Sequence, residues 1–262
     1  MIYLTDYRTA STTAVELLDD IQYPQKVHWF PDTFARKDTG LVYAPHKLAE
    51  KVLDPELLKR LKDNPVKTAF ILASGNSHFA GINQKTTAKT RLSYEYKMLP
   101  MTLNQVYAGR IAQACNAQDL VTTDASACAS SIKVMDDVLN LIERKGFDRV
   151  VVLSVEDTIN NTVLHFFGES GAVLTDNSDK KPSAFDKING GFNIGQGAVF
   201  AVFESGRIAK SAHARLLGAG IGSEKCANAI GQRSDGQGFV NAAIQAFRSA
   251  SVSTIDIDLV KT

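Results

Sequence analysis

Apolar residues along this chain fall into two kinds of run: short and uninterrupted, or longer and spaced at helical intervals. The short runs lie at residues 68–72, 119–122, 149–153, 198–203 and 214–219; bounded by turn residues, they predict strands. Val150-Val151-Val152-Leu153 shows no alternation of apolar and polar side chains. That pattern fits a strand covered on both faces and predicts a mostly parallel sheet. Helical spacing predicts a charged surface helix at 55–62 and further helices at 103–115 and 238–250. Another helix is marked by Ile132, Met135, Val138, Leu139 and Ile142 on one face, with Gly146 as its C-cap. Met1-Ile2-Tyr3-Leu4 predicts a first strand. Strands and helices that alternate in this way predict a layered α/β protein. The polar segment 76–96, with two Thr-Lys pairs and a Tyr-Glu-Tyr, reads as a mobile or partner-facing excursion.

Composition narrows the function classes. A chain of 262 residues, 44% hydrophobic and 22% charged, supports a sizeable core in one large domain or two fused halves. The formal net charge of +1 gives no field for nucleic acid. Five His and three Cys are too scattered for a metal site, and Cys115, Cys128 and Cys226 show no CxxC spacing. Free thiols in a reducing compartment are the expectation. With no signal-peptide pattern and no apolar run near the ~20 residues that span a bilayer, a soluble cytoplasmic protein with no membrane partner is expected.

Candidate chemistry concentrates in Thr123-Asp124-Ala125-Ser126-Ala127-Cys128-Ala129-Ser130-Ser131. These residues set a cysteine among small neighbours between the strand at Leu120-Val121-Thr122-Thr123 and the amphipathic helix that follows. Unpaired N–H groups and the helix dipole at such a junction favour a thiolate and can hold a developing oxyanion on a thioester carbonyl. Cys128 is the candidate nucleophile; Cys115 and Cys226 read as structural thiols. His28, His46, His78, His165 and His213 are scattered and read as local hydrogen-bonding residues. Gly218-Ala219-Gly220-Ile221-Gly222 has GxGxG rather than GxGxxG spacing, so it does not read as a dinucleotide loop. The basic segment 51–67 fits either a solvated helix or a dock for an acidic partner.

Ser126-Ala127-Cys128-Ala129-Ser130 resembles the nucleophile elbow of the β-ketoacyl-[acyl-carrier-protein] synthases, condensing enzymes of the thiolase fold. Further resemblances follow in the family's order. Val151-Val152-Leu153-Ser154-Val155-Glu156 is similar to the strand after the nucleophile helix. Pro182-Ser183-Ala184-Phe185-Asp186-Lys187 with Gly191-Phe192 is similar to a Pro-Phe-Asp…Asp-Gly-Phe segment. Gly195-Gln196-Gly197-Ala198 is similar to a Gly-Glu-Gly-Ala strand opening. Two positions depart: Asn189-Gly190 stands where the family often has Arg-Asp, and Gln196 where it usually has an acidic residue. The resemblance spans roughly residues 66–262; the first 65 residues are atypical.

The resemblance implies a thiolase-like α-β-α-β-α layering. Residues 1–200 form the N-terminal half with the elbow, and 201–262 begin an incomplete C-terminal half. It implies acyl transfer from an acyl carrier protein to Cys128, then decarboxylative condensation with a malonyl-carrier thioester, without cofactor or metal. Phe167 matches a family phenylalanine that lines the acyl pocket; an ordinary core position is the alternative. The terminal Asp256-Ile257-Asp258-Leu259-Val260 resembles the strand that leads into the family's His-Gly-Thr motif. The family's catalytic histidines, its active-site lysine and its gating loop would then lie beyond Thr262. Three functions fit: a ketosynthase completed by a separate C-terminal polypeptide, a non-catalytic partner subunit of the chain-length-factor kind or an inactive fragment, or an α/β binding protein without acyl chemistry. A homodimer or heterodimer is implied, with its interface near Val121–Thr123.

Overall fold

The structure, a computed structural model, describes residues 1–11, 15–18, 25–28, 48–75, 103–157, 159, 161–171, 173, 191–223 and 234–261. Cys226, His46, His78, the excursion at 76–96, residues 182–187 and the Asn189-Gly190 pair lie outside the described residues.

Strands β1 (Ile2–Ser11), β2 (Val15–Leu18), β3 (Gln25–His28), β4 (Thr68–Ala73), β5 (Leu120–Asp124), β6 (Arg149–Asp157), β7 (Ile194–Ser205) and β8 (Ala214–Leu216) form an eight-stranded sheet. Helices α1 (Pro55–Asp63), α2 (Asn104–Ala114), α3 (Ser130–Leu139), α4 (Asn161–Glu169) and α5 (Gln237–Ala250) accompany it. The strand and helix positions read from apolar runs fall where expected, each within a few residues at its ends. The first strand is longer than Met1-Ile2-Tyr3-Leu4 suggested, because β1 runs beside β7 as far as the pair Ser11↔Gly197.

The sheet is mixed, which corrects the expectation of a mostly parallel one. β4 is parallel to both β5 and β6, but β6–β7, β1–β7, β1–β8 and β2–β3 are antiparallel. Burial on both faces gave β6 and β7 the look of parallel strands. It is helix cover, not strand direction, that produces unbroken apolar runs. Phe70, Leu72, Val151, Leu153, Phe200 and Val202 point to one face, under α1 and α2, with Leu57, Leu61, Tyr107 and Ile111. Ala69, Ile71, Val150, Val152, Ala201 and Phe203 point to the other, with Val134, Val138 and Ile142 from the α3 side.

Local chemistry fixes the helix ends. Asp54 accepts the N–H groups of Glu56 and Leu57, and Pro55 occupies the first turn of α1. This helix is less of a surface element than its charge suggested, because Leu57 and Leu61 are fully buried. α3 continues into a wide turn at Asn140–Arg144 and stops at Gly146, whose φ of +67° is left-handed, as expected of the C-cap.

The GxGxG run packs on α5. A side chain built at Gly218, Gly220 or Gly222 would lie 2.5, 2.1 or 2.0 Å from the nearest backbone atom of that helix. The atoms met belong to Ala250, Ala242 and Gly238, so alternate glycines let an extended segment rest directly on a helix stripe of small residues. Residues 255–260 do not form a strand. A 3₁₀ turn at Thr254–Asp256, closed by a Ser253–Asp256 capping box, replaces it, and residues 257–260 follow without regular structure. The alternating pattern there had no neighbouring strand to pair with among the described residues.

Candidate active site

Sheet direction decides where the chemistry gathers. Ala73 of β4 is in register with Asp124 of β5 and with Ser154 of β6, so β4 and β5 end at one level while β6 runs on past it to Asp157. The carboxyl end of β1 and the start of antiparallel β7 reach the same end of the sheet through Thr9↔Val199 and Ser11↔Gly197. Segments that leave the ends of parallel strands diverge and open a crevice. Here that crevice is a cavity of about 370 Å³. Cys128, Gly75, Glu156, Ser131 and Gly197 are among its lining residues.

Cys128 sits in a single 3₁₀ turn, Ala127–Ala129, between β5 and α3, and its side chain is exposed. The turn is held from several sides. Asp124, the last residue of β5 and buried, accepts the Ser126 N–H at 3.0 Å and also pairs with Lys133 of α3. Burial alone would raise the Asp124 carboxyl, but hydrogen bonds from Lys133 and Ser126 outweigh it and hold the group below the usual carboxylate range. Ser130, buried at the start of α3, donates its hydroxyl to the Ala127 carbonyl at 2.7 Å. The Ala129 N–H donates to the Ser126 carbonyl at 3.1 Å.

Ala127 has φ +50°, a left-handed value that costs an L-residue about 1–2 kcal/mol. This bend turns the chain sharply from strand to helix and presents the next side chain, that of Cys128, to the cavity. Such strain persists only where surrounding contacts impose it, and the Asp124 and Ser130 hydrogen bonds do so here.

The other sequence candidates lie elsewhere. Phe167 of α4 is half-buried, packs edge-on against Phe192 with ring centres 5.6 Å apart, and joins the cluster of Ile159, Leu164, Val173 and Ile194. It is not among the residues that line the Cys128 cavity. Cys115 is buried at the end of α2, and burial pushes its thiol up to about 12, which suits a structural residue. His213 packs edge-on against Tyr7, and neither it nor His165 lines the cavity. Among the described residues no cluster of His, Cys, Asp or Glu could hold a metal ion, and no helix is long and apolar enough to cross a membrane.

Sequence reasoning centred on Cys128 did not assign Gly75 or Glu156 to the site. The signal that finds them is topological: Gly75 follows β4, the neighbour of β5, and Glu156 lies near the end of β6, the parallel strand on the other side of β4. The neutral Gln196, where an acid is usual, is explained by its partner. Its amide donates to the buried Asp157 carboxylate at 2.8 Å, a place where a second carboxylate would repel.

Comparison with known proteins fits this geometry. A family model described as "Beta-ketoacyl synthase, N-terminal domain" matches residues 38–209. A "3-oxoacyl-[acyl-carrier-protein] synthase homolog" of Saccharomyces cerevisiae is 28% identical over 170 residues, 62% of this chain and 37% of that protein. The matched stretch thus spans well under half the length of this curated relative. Among solved structures, the complex of a type II polyketide synthase acyl-carrier protein with its ketosynthase bound to the hexaketide aligns with a TM-score of 0.78 at 15% identity. That alignment covers 98% of this chain and 71% of the matched one. A ketosynthase in complex with its chain length factor from Xenorhabdus doucetiae aligns at 0.72 and 15% identity, covering 98% and 69%. At these identities the likeness shows the fold alone: a thiolase-like α/β architecture, in a chain shorter than the solved ones.

Proposed function

The chain belongs to the β-ketoacyl synthase family, and on that premise we propose that Cys128 accepts an acyl group from a carrier-protein thioester as the first step of decarboxylative condensation. The observation that carries this reading is the placement of Cys128 in a strained turn at the head of α3, open to a cavity of about 370 Å³. The Cys128 sulfur attacks the thioester carbonyl. A tetrahedral oxyanion forms within reach of the N–H groups that open the turn, and the carrier's pantetheine thiolate leaves and takes up a proton. A malonyl thioester then loses CO2, and its enolate attacks the acyl-enzyme carbonyl and releases the Cys128 thiolate.

Enolate formation needs hydrogen-bond donors on the malonyl thioester oxygen. Among the described residues no histidine lines the cavity, so we assign those donors to the part of the fold that the family carries beyond the matched region. The active unit of this reading is the assembled protein, dimeric across the β5 edge, with β5 last in the sheet order and its residues 120–123 half-buried. The expected division at residues 200/201 falls inside β7, which runs to Ser205, so we propose that the first half includes the whole of that strand. Phe167 packs in the cluster of Ile159, Leu164, Val173 and Ile194, and this reading gives it no role in lining the Cys128 cavity.

A non-condensing partner subunit is the second reading, favoured by the cavity's lack of a described histidine. The two part in one assay: the assembled protein with acyl- and malonyl-carrier thioesters. The first reading expects a β-ketoacyl product that Cys128→Ala abolishes. Acylation of Cys128 without product supports the second, and product formation by Cys128→Ala contradicts both.

A further inference from the structure

Among the described residues that line the Cys128 cavity Glu156 is the charged one, and its carboxylate accepts a backbone N–H. Its Oε2 accepts the Gly75 N–H at 2.7 Å, which ties the end of β6 to the end of β4. Gly75 in turn lies against the elbow. A Cβ at Gly75 would sit 3.2 Å from the Ala127 carbonyl oxygen, 3.3 Å from its carbonyl carbon and 3.1 Å from Glu156 Oε2. Ala127 is the left-handed residue whose bend presents Cys128. The contacts therefore run in a line from Glu156 through Gly75 and Ala127 to Cys128. The Ser74 N–H, bonded to the Asp124 carbonyl at 3.0 Å, holds the start of this loop in register with β5.

We propose that Glu156 is a positioning residue for the Cys128 nucleophile, acting through Gly75 as a buttress that keeps the Ala127 bend in place. This rests on the reading of Cys128 as the acyl acceptor, but the buttress is a physical claim that can be tested by itself. An ionised acceptor makes a stronger bond to an N–H than a neutral one. A methyl group at Gly75 would press on both Glu156 and the Ala127 carbonyl, and one of them would have to give by a few tenths of an ångström. No step of the reaction passes through Glu156: its carboxylate takes no proton from the thiol, and its role is geometric. Displacing a reacting group by ~1 Å can cost on the order of 10²-fold in rate, so a small relaxation at Ala127 would be felt at the sulfur.

The test compares parent, Glu156→Ala, Glu156→Gln and Gly75→Ala proteins in two measurements. In amide hydrogen exchange, Glu156→Ala should speed exchange of the Ala129 and Ser130 N–H groups about tenfold, the order expected for loss of one charge-assisted hydrogen bond. Glu156→Gln keeps an acceptor oxygen and should recover most of the protection, and Gly75→Ala should resemble Glu156→Ala. In acylation of Cys128 by an acyl-carrier thioester, the maximal rate should fall about tenfold or more in Glu156→Ala, with the half-saturating donor concentration unchanged. Unchanged elbow exchange in Glu156→Ala, or a Gln variant no better protected than the Ala variant, overturns the buttress. A parent protein that takes up no acyl group overturns the acyl-acceptor reading instead, and the exchange data still decide the buttress.

Discussion

Asp157 and Gln196 show how one side chain sets the chemistry of its neighbour. Burial pushes the Asp157 carboxyl above the usual carboxylate range, against hydrogen bonds from the Gln196 amide and the Ile159 backbone. The folded protein then keeps a proton on Asp157 that the unfolded chain has already lost, over a window opening near pH ~4. Within that window the native state binds more protons, so stability is full below it and falls as pH rises through it. Asp157→Asn keeps an acceptor for Gln196 and removes the titration. Melting curves should show the variant gaining on the parent at neutral pH and converging with it at low pH; parallel profiles would contradict this account. Arg149 and Glu204 present the opposite case at the far end of the same strands. Both are buried, paired at 2.8 Å, with Arg149 also donating to the Asn64 carbonyl at 3.0 Å. Removing one partner strands a buried charge, so Glu204→Ala should cost about 3–5 kcal/mol in urea unfolding.

At the scale of elements, glycine separates two kinds of contact. In α2, nothing lies within 4 Å of a Cβ at Gly109, whereas at Gly220 such a Cβ would sit 2.1 Å from the Ala242 carbonyl of α5. Gly109→Ala should stabilise by about 0.5–1 kcal/mol through helix propensity. Gly220→Ala should destabilise by about 1–3 kcal/mol or more through overpacking, and differential scanning calorimetry resolves the opposite signs. These glycines also mark what could be read in advance. Apolar runs located β4, β5, β6, β7 and the helices, because helix and strand spacing is a property of neighbours along the chain. Strand direction depends on which edge meets which, and Val150–Leu153 carries no mark of it. The elbow at Ala127-Cys128 was legible because small residues, a strand and an amphipathic helix adjoin in sequence. Gly75 and Glu156 were not assigned there, because 81 positions separate them and only the β4–β6 pairing joins them.

For the molecule as a whole, one helix is unlike the others: Phe239, Val240 and Ile244 of α5 stand exposed, Phe239 at 64%. Only Gly238 of α5 is buried. Apolar surface of this kind marks an interaction face. Sedimentation of the 28.4 kDa chain should show concentration-dependent association that Phe239→Ser with Ile244→Ser weakens. A species that stays at 28.4 kDa at every concentration would contradict it. At the β5 edge, proposed above for the dimer, the Gln105 side chain donates to the Val121 carbonyl at 3.0 Å and occupies one acceptor of that edge, so the α5 face would be a second contact surface. The central claim remains the acyl acceptor. The most direct test is the intact mass of the parent and of Cys128→Ala after incubation with an acyl-carrier thioester. The account predicts a single acyl adduct on the parent, mapped to the peptide holding Cys128, and none on the variant. An unmodified parent, or an equal adduct on Cys128→Ala, would contradict it.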